Sequence, residues 1–215
     1  MRVAPEGRPF IVLGAVVLLA AAAAGYAGGG WWWLLAALWA PIAVWIPLFF
    51  RDPERAGPRG PEVVVSAADG VVVAVTPVDE PEFVRGRATQ VSVFMNVFNV
   101  HVNRHPVDGT VEHRNYRAGK FFNASLDKAS VHNEQMSLGI TASRGRVLVR
   151  QIAGLIARRI VTDPKPGDTV HQGERLGIIR FGSRVDVFLP AGVEARVRIG
   201  DHTTAGVTVI GQWTH

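Results

Sequence analysis

Lys165-Pro-Gly-Asp-Thr-Val-His-Gln-Gly-Glu-Arg-Leu-Gly177 sets two glycine-containing turns about a short β run. Turn, strand and turn at this spacing is the rhythm of an all-β module. Outward from this stretch the chain repeats the pattern. Val- and Ile-containing runs occupy Glu62–Ser66, Gly70–Thr76, Gln90–Phe94, Gly109–His113, Arg146–Ile152, Leu176–Arg180, Val185–Leu189 and Val193–Ile199. Turn residues separate them, so the expected fold class is mainly β, a barrel-sandwich-like domain. A short helix is expected over Ala118–Ala129.

The N-terminal part is built differently. No charged residue stands between Arg8 and Arg51. Pro9–Ala27 and Trp31–Phe50 are apolar and flank Gly28-Gly29-Gly30. Each approaches the ~20 residues that a helix needs to cross the hydrocarbon. Pro41 and Pro47 are expected to kink the second helix or end it early. A membrane hairpin accounts for the pair better than a cleaved signal peptide, because a second apolar stretch follows almost at once. A hairpin that enters only one leaflet is the alternative. Arg2 and Arg8 precede it, and Arg51, Arg55 and Arg59 follow it. The positive-inside bias then puts both ends, and the β domain, on the cytoplasmic side of the cell membrane. The expected division is 1–50 anchor, 51–61 linker rich in Pro and Gly, and 62–215 catalytic β domain.

Composition narrows the chemistry. There is no cysteine, which excludes disulfides, thiolate metal sites and a cysteine nucleophile. The net charge is +5, which suits anionic headgroups. The basic residues form no dense run, so no nucleic-acid partner is expected. The seven histidines show no zinc spacing, and no metal is expected.

Gly182–Ser183 offers a reaction of its own. The Ser183 hydroxyl can attack the Gly182 carbonyl and exchange the amide for an ester. Gly182 has no Cβ to block that approach and tolerates unusual backbone angles. Elimination of the ester followed by hydrolysis turns residue 183 into a pyruvoyl group. Such a ketone is an electron sink for losing CO₂ from an amine-bearing carbon. The dipeptide alone is a weak signal, and its plain reading is a turn between strands.

The surrounding motifs are specific. They are Phe49-Phe-Arg-Asp-Pro-Glu-Arg55, Ala68-Asp-Gly70, Phe94-Met-Asn-Val-Phe-Asn-Val-His-Val-Asn-Arg-His-Pro-Val-Asp-Gly109, Lys128-Ala-Ser-Val-His-Asn-Glu134, Gln151-Ile-Ala-Gly-Leu-Ile-Ala-Arg-Arg-Ile160 and Phe181-Gly-Ser-Arg184. In this order the chain resembles the short form of phosphatidylserine decarboxylase, a family that includes archaetidylserine decarboxylases. The resemblance implies a pyruvoyl-dependent lyase, made as a proenzyme that cuts itself between 182 and 183. The partners it implies are a serine phospholipid, the membrane, and the fragment 183–215 held on 1–182. A homo-oligomer and the lipid tail chemistry stay open.

The resemblance also implies an Asp-His-Ser arrangement in the logic of a serine protease. Asp69 would orient a histidine, and that histidine would take the Ser183 proton. Asp69-Gly70 also reads as a plain hairpin turn. Long forms carry two histidines three apart, whereas here Arg104 stands at the second position. His101 matches the first and is favoured as the base, with His105 as the substitute. Two strand residues four apart share a face, but Pro106 can end the strand there. The other histidines read as surface or structural. Arg158 and Arg159 read either as contacts to a lipid phosphate or as a solvated strand edge.

The 165–177 stretch also resembles the hairpin of lipoyl- and biotinyl-type carriers, which are flattened β-barrels. Those carriers present a lysine at a tight turn, and no lysine follows Gly177. That resemblance therefore implies shape and not carrier chemistry. The competing functional class is a non-enzymatic, membrane-anchored barrel-sandwich adaptor. Such adaptors carry a long helical hairpin between their β segments, which is not visible here.

Overall fold

A computed structural model of the chain describes residues 2–119, 133–154, 159–180 and 182–214. The chain forms two compact units, Met1–Glu54 and Arg55–His215. Most of the expected helix over Ala118–Ala129 lies outside the described residues.

The first unit is a helical hairpin. α1 spans Arg8–Gly28 after a 3-10 turn, and α2 spans Trp31–Phe49. Both helices are long and apolar enough to cross a membrane. They pack through small residues. A Cβ on Gly14 would come within 3.0 Å of Ile46, and one on Gly25 within 2.8 Å of the Trp33 ring. Trp39 Nε1 donates to the Gly14 carbonyl at 3.0 Å. The open end of the hairpin is tied by Ala4 N–H to Phe50 O and by Asp52 N–H to Arg2 O, at 2.8 and 2.9 Å. Val12, Leu13, Val16, Leu19, Leu34 and Leu38 point outward and are exposed, a face suited to lipid.

α2 runs through both prolines and ends two residues after Pro47. A proline removes one backbone donor, and a helix packed on a neighbour in an apolar setting accommodates that loss.

The second unit is β throughout. Its strands are β1 Val63–Val65, β2 Gly70–Glu80, β3 Gly86–Met95, β4 Val102–Arg104, β5 Gly109–Arg117, β6 Gln135–Ala142 and β7 Gly145–Ala153. β8 Ile160–Thr162, β9 Thr169–Val170, β10 Arg175–Ile179, β11 Ser183–Pro190, β12 Val193–Ala195, β13 His202–Thr203 and β14 Val209–Trp213 complete it. Eight strands make one curled sheet in the order β13-β2-β3-β11-β7-β6-β5-β9. Two three-stranded sheets, β1-β14-β12 and β4-β10-β8, accompany it. The fold is the mainly β, barrel-sandwich-like architecture expected from the sequence.

The core lies on the inner face of the curled sheet. Val91, Val93 and Met95 of β3 meet Val147 and Val149 of β7 and Val185, Val187 and Leu189 of β11. Val64, Leu176, Ile179, Ile210 and Trp213 from the smaller sheets close over them. Alternate residues of each strand supply this face, as the period of a strand requires. The 165–177 stretch folds as turn, β9, turn and β10. Gly167 and Gly173 take φ of 96° and 82°, the left-handed region that glycine enters at little cost.

Arg55–Pro61 belongs to the β unit. Arg55 bonds Asp69 at 2.7 Å, Arg59 bonds the Gly206 carbonyl at 2.7 Å, and Gly60 N–H donates to Gln172 at 3.0 Å.

Candidate active site

The register of the large sheet brings the site together. Ser183 opens β11, which lies between β3 and β7, and is paired with Met95 on one side and Ala153 on the other. It is fully buried. Its hydroxyl points to the Met95 sulfur at 3.4 Å. Gly182 has φ 65°, and nothing lies within 4 Å of where its Cβ would be. Its backbone angle therefore favours glycine, while the space around it is open.

His101 reaches Gly182. It stands just before β4, is fully buried, and receives the Gly182 N–H on Nε2 at 3.3 Å. Its Nδ1 lies 3.1 Å from the Asn99 carbonyl. That carbonyl accepts only, so Nδ1 carries the proton and Nε2 presents a lone pair. The backbone thus fixes the tautomer with the basic nitrogen facing the Gly182 N–H.

His105 faces elsewhere. β4 covers only Val102–Arg104, and His105 leaves it toward the 171–175 turn. Its backbone pairs with Glu174 O and Gly173 N–H, both at 2.8 Å. Its Nδ1 is buried without a partner among the described residues. Burial lowers its pKa to about 4, against a smaller raising effect from a hydrogen bond to the Arg175 backbone.

Asp69 lies at the same end of the sheet, just before β2, whose Val71 pairs with Phe94. Its two carboxylate oxygens accept from Arg55 at 2.7 Å and from the Ala205 N–H at 2.8 Å. Ser66 and Thr203 hydroxyls donate to the preceding carbonyl, Ala68 O, at 2.8 and 2.9 Å. A Cβ on Gly70 would run into the Phe94 carbonyl, so glycine is required where β2 meets β3.

A buried amide chain, not singled out in the sequence, backs Ser183. Thr162 Oγ1 donates to Gln151 Oε1 at 2.6 Å, and Gln151 Nε2 donates to Asn103 Oδ1 at 2.8 Å. Asn103 Nδ2 points to the Met95 sulfur at 3.6 Å, the atom that also receives the Ser183 hydroxyl. Asn103 is fully buried and Gln151 nearly so. The signal was faintly present. The inward stripes Val91-Val93-Met95, Val147-Val149-Gln151 and Leu189-Val187-Val185-Ser183 all turn from aliphatic to polar or sulfur-bearing at one end of the sheet.

A family model described as phosphatidylserine decarboxylase matches residues 43–211. The chain belongs to the phosphatidylserine decarboxylase family. It is similar to the phosphatidylserine decarboxylase proenzyme of Symbiobacterium thermophilum, with 50% identity over 98% of this chain and 95% of the relative. The proenzymes of Aromatoleum aromaticum and Ruegeria pomeroyi are 49% and 47% identical, over 98% and 96% of this chain and 95% and 93% of theirs. Membership in the phosphatidylserine decarboxylase family makes the chain an enzyme and sets the adaptor reading aside.

The remaining residues expected from the sequence are scattered. His113 stacks on Phe83, exposed His171 lies 3.7 Å from Asp108, and His202 lies on β13. His132, His215 and Arg158 lie outside the described residues. Arg159 is exposed, and its carbonyl accepts from the Arg180 N–H at 3.3 Å.

Proposed function

We propose that the chain is a proenzyme that cuts itself between Gly182 and Ser183, and whose mature form converts phosphatidylserine to phosphatidylethanolamine. The observation that carries this reading is the His101 Nε2 lone pair, which accepts the Gly182 N–H at 3.3 Å, one residue before the Ser183 hydroxyl. A serine hydroxyl attacks an amide poorly at neutral pH unless a base is at hand. Here the base is neutral, tautomerically fixed and buried with its target. The Ser183 hydroxyl rests on a thioether, a weak acceptor that releases it readily.

In the first step the Ser183 oxygen bonds to the Gly182 carbonyl carbon. The C–N bond breaks, and the hydroxyl proton passes by way of His101 to the Ser183 nitrogen. In the second step the Ser183 Cα proton is removed and the Cβ–O bond breaks. The first chain is left ending in a Gly182 carboxylate. Water then displaces ammonia from residue 183 and leaves the pyruvoyl group. Asp69 is fixed at the same end of the sheet by Arg55 and the Ala205 N–H.

The residues present fit that group. The site is buried, and the Asn103 amide, now spent on a sulfur, is a donor for a carbonyl oxygen at position 183. The pyruvoyl carbonyl supplies an electron sink for loss of CO₂ from the serine headgroup. His101 remains beside it, placed to hold or deliver a proton.

Intact-mass measurement and a denaturing gel test the reading. The purified protein should run as two chains, 1–182 and 183–215, the shorter without a free amino terminus. Ser183→Ala should remain one chain and should not release CO₂ from phosphatidylserine. An uncut Ser183→Ala protein that decarboxylates at the normal rate would refute it.

A further inference from the structure

We propose that the turn Asn96-Val97-Phe98-Asn99 is a membrane wedge that seats the Ser183 end of the β unit on an anionic phospholipid bilayer. This turn leaves β3 directly after Met95. Three hydrogen bonds close it. Asn96 N–H donates to Asn99 Oδ1 at 2.9 Å, Phe98 N–H to Asn96 Oδ1 at 2.8 Å, and Asn99 N–H to Asn96 O at 3.0 Å. The closed turn lifts Phe98 outward, where it is 72% exposed, the largest exposure of any bulky apolar residue in the described β unit. An aromatic ring this exposed at the rim of a buried site is stabilised by an interface.

Its surroundings favour lipid over protein. The ends of β3, β11, β7, β6 and β5 lie side by side here, as the pairs Met95–Ser183–Ala153 and Gln135–Arg117 show. This rim carries a second exposed aromatic, Tyr116, at 55%. It also carries cations, the exposed Arg117 and Arg159 and the half-buried Arg180. Of the carboxylates described nearby, Glu134 is largely buried and engaged by Tyr116, and Asp69 is paired with Arg55. Aromatic rings amid arginines match a water–lipid boundary with anionic headgroups.

The same turn reaches the chemistry. Phe98 points out while the next carbonyl, Asn99 O, holds His101 Nδ1. A bilayer that engages Phe98 therefore presses on the residue that orients the base. The choice of lipid rests on the decarboxylase reading, but contact with lipid does not.

The cysteine-free chain makes a direct test simple. The full chain carrying Phe98→Cys is labelled with a fluorophore and reconstituted in phosphatidylglycerol–phosphatidylcholine vesicles whose acyl chains bear a nitroxide near the headgroup. Ser143→Cys, in the β6–β7 turn at the other end of the sheet, is the reference. The label at 98 should be quenched several-fold more than the label at 143. Equal quenching overturns the proposal, as does strong quenching at 98 that persists in vesicles lacking anionic lipid. Val97→Cys replaces Phe98→Cys if the latter does not fold. No turnover enters this readout, so a chain that docks but releases no CO₂ would refute the decarboxylase reading and leave the wedge standing.

Discussion

Two histidines four residues apart occupy different worlds. His101 holds the Gly182 N–H on Nε2, and His105 is packed against the 171–175 turn. We expect His101→Gln to slow chain cleavage by about 100-fold or more, the usual worth of a positioned base. His105→Gln should leave the cleavage rate unchanged. A time course of the two chains on a gel checks both. His105 has a separate consequence. Its folded pKa, about 4, lies below its ordinary value of 6.5. Between those values the unfolded chain binds the extra proton, so stability present above pH ~6.5 is lost as pH falls toward ~4. The loss approaches about 3 kcal/mol, at ~1.4 kcal/mol per unit. Urea melts across that window should show His105→Gln losing less stability on acidification than the native chain. The sequence held both histidines but not their separation, because Pro106 lets the chain turn after a strand of only three residues.

Among the elements, the long Val-rich strands were legible and the short polar ones were not. β2, β3, β5, β7, β10 and β11 fall on the runs read from the sequence, though β2, β3 and β5 extend further through Thr, Arg and Glu into their hairpins. β6, Gln135–Ala142, gave no signal. It carries Gln, Ser and Gly and is buried along most of its length, so apolar and polar residues do not alternate. β4, β8, β9 and β13 have two or three residues each, too few to show a period. Val193–Ile199 is strand only to Ala195. The candidate site was half legible. Motif residues named Ser183, His101 and Asp69, whereas Asn103 and Gln151 meet only once β4 lies against β7. The β2–β3 junction gives a prediction at this scale. Gly70→Ala should destabilise the β unit by about 1–3 kcal/mol, since a methyl group there meets a backbone carbonyl that cannot swing aside. A drop in Tm without loss of the β signal in circular dichroism checks it.

At the scale of the whole molecule the division falls between Glu54 and Arg55. Arg55 and Arg59 are bound into the β unit by Asp69 and Gly206. We propose that residues 1–50 anchor the protein in the cytoplasmic membrane, with the β unit facing the cytoplasm. A chain lacking 1–50 should therefore fold and cut itself at the normal rate while losing its membrane attachment. Fractionation together with the two-band gel checks this. Persistent cleavage with loss of sedimentation is the expected result.

β11 lies in the middle of the large sheet, with β3 on one side and β7 on the other. A cut at its first residue therefore severs the chain at the heart of the fold and not at an edge. The proposed product 183–215 also carries β12, β13 and β14, each paired with strands of the same small region or of 1–182. The proposed cut would thereby turn a unimolecular folding problem into a bimolecular one. The proenzyme should melt at a temperature independent of its concentration. The mature pair should melt higher as concentration rises, by mass action, and should not regain its structure once its halves have been separated and diluted. The order of events is thereby fixed in time. On the proposed route the fold must be complete before the bond is broken, and the enzyme would then live on a structure that it has no covalent means to rebuild.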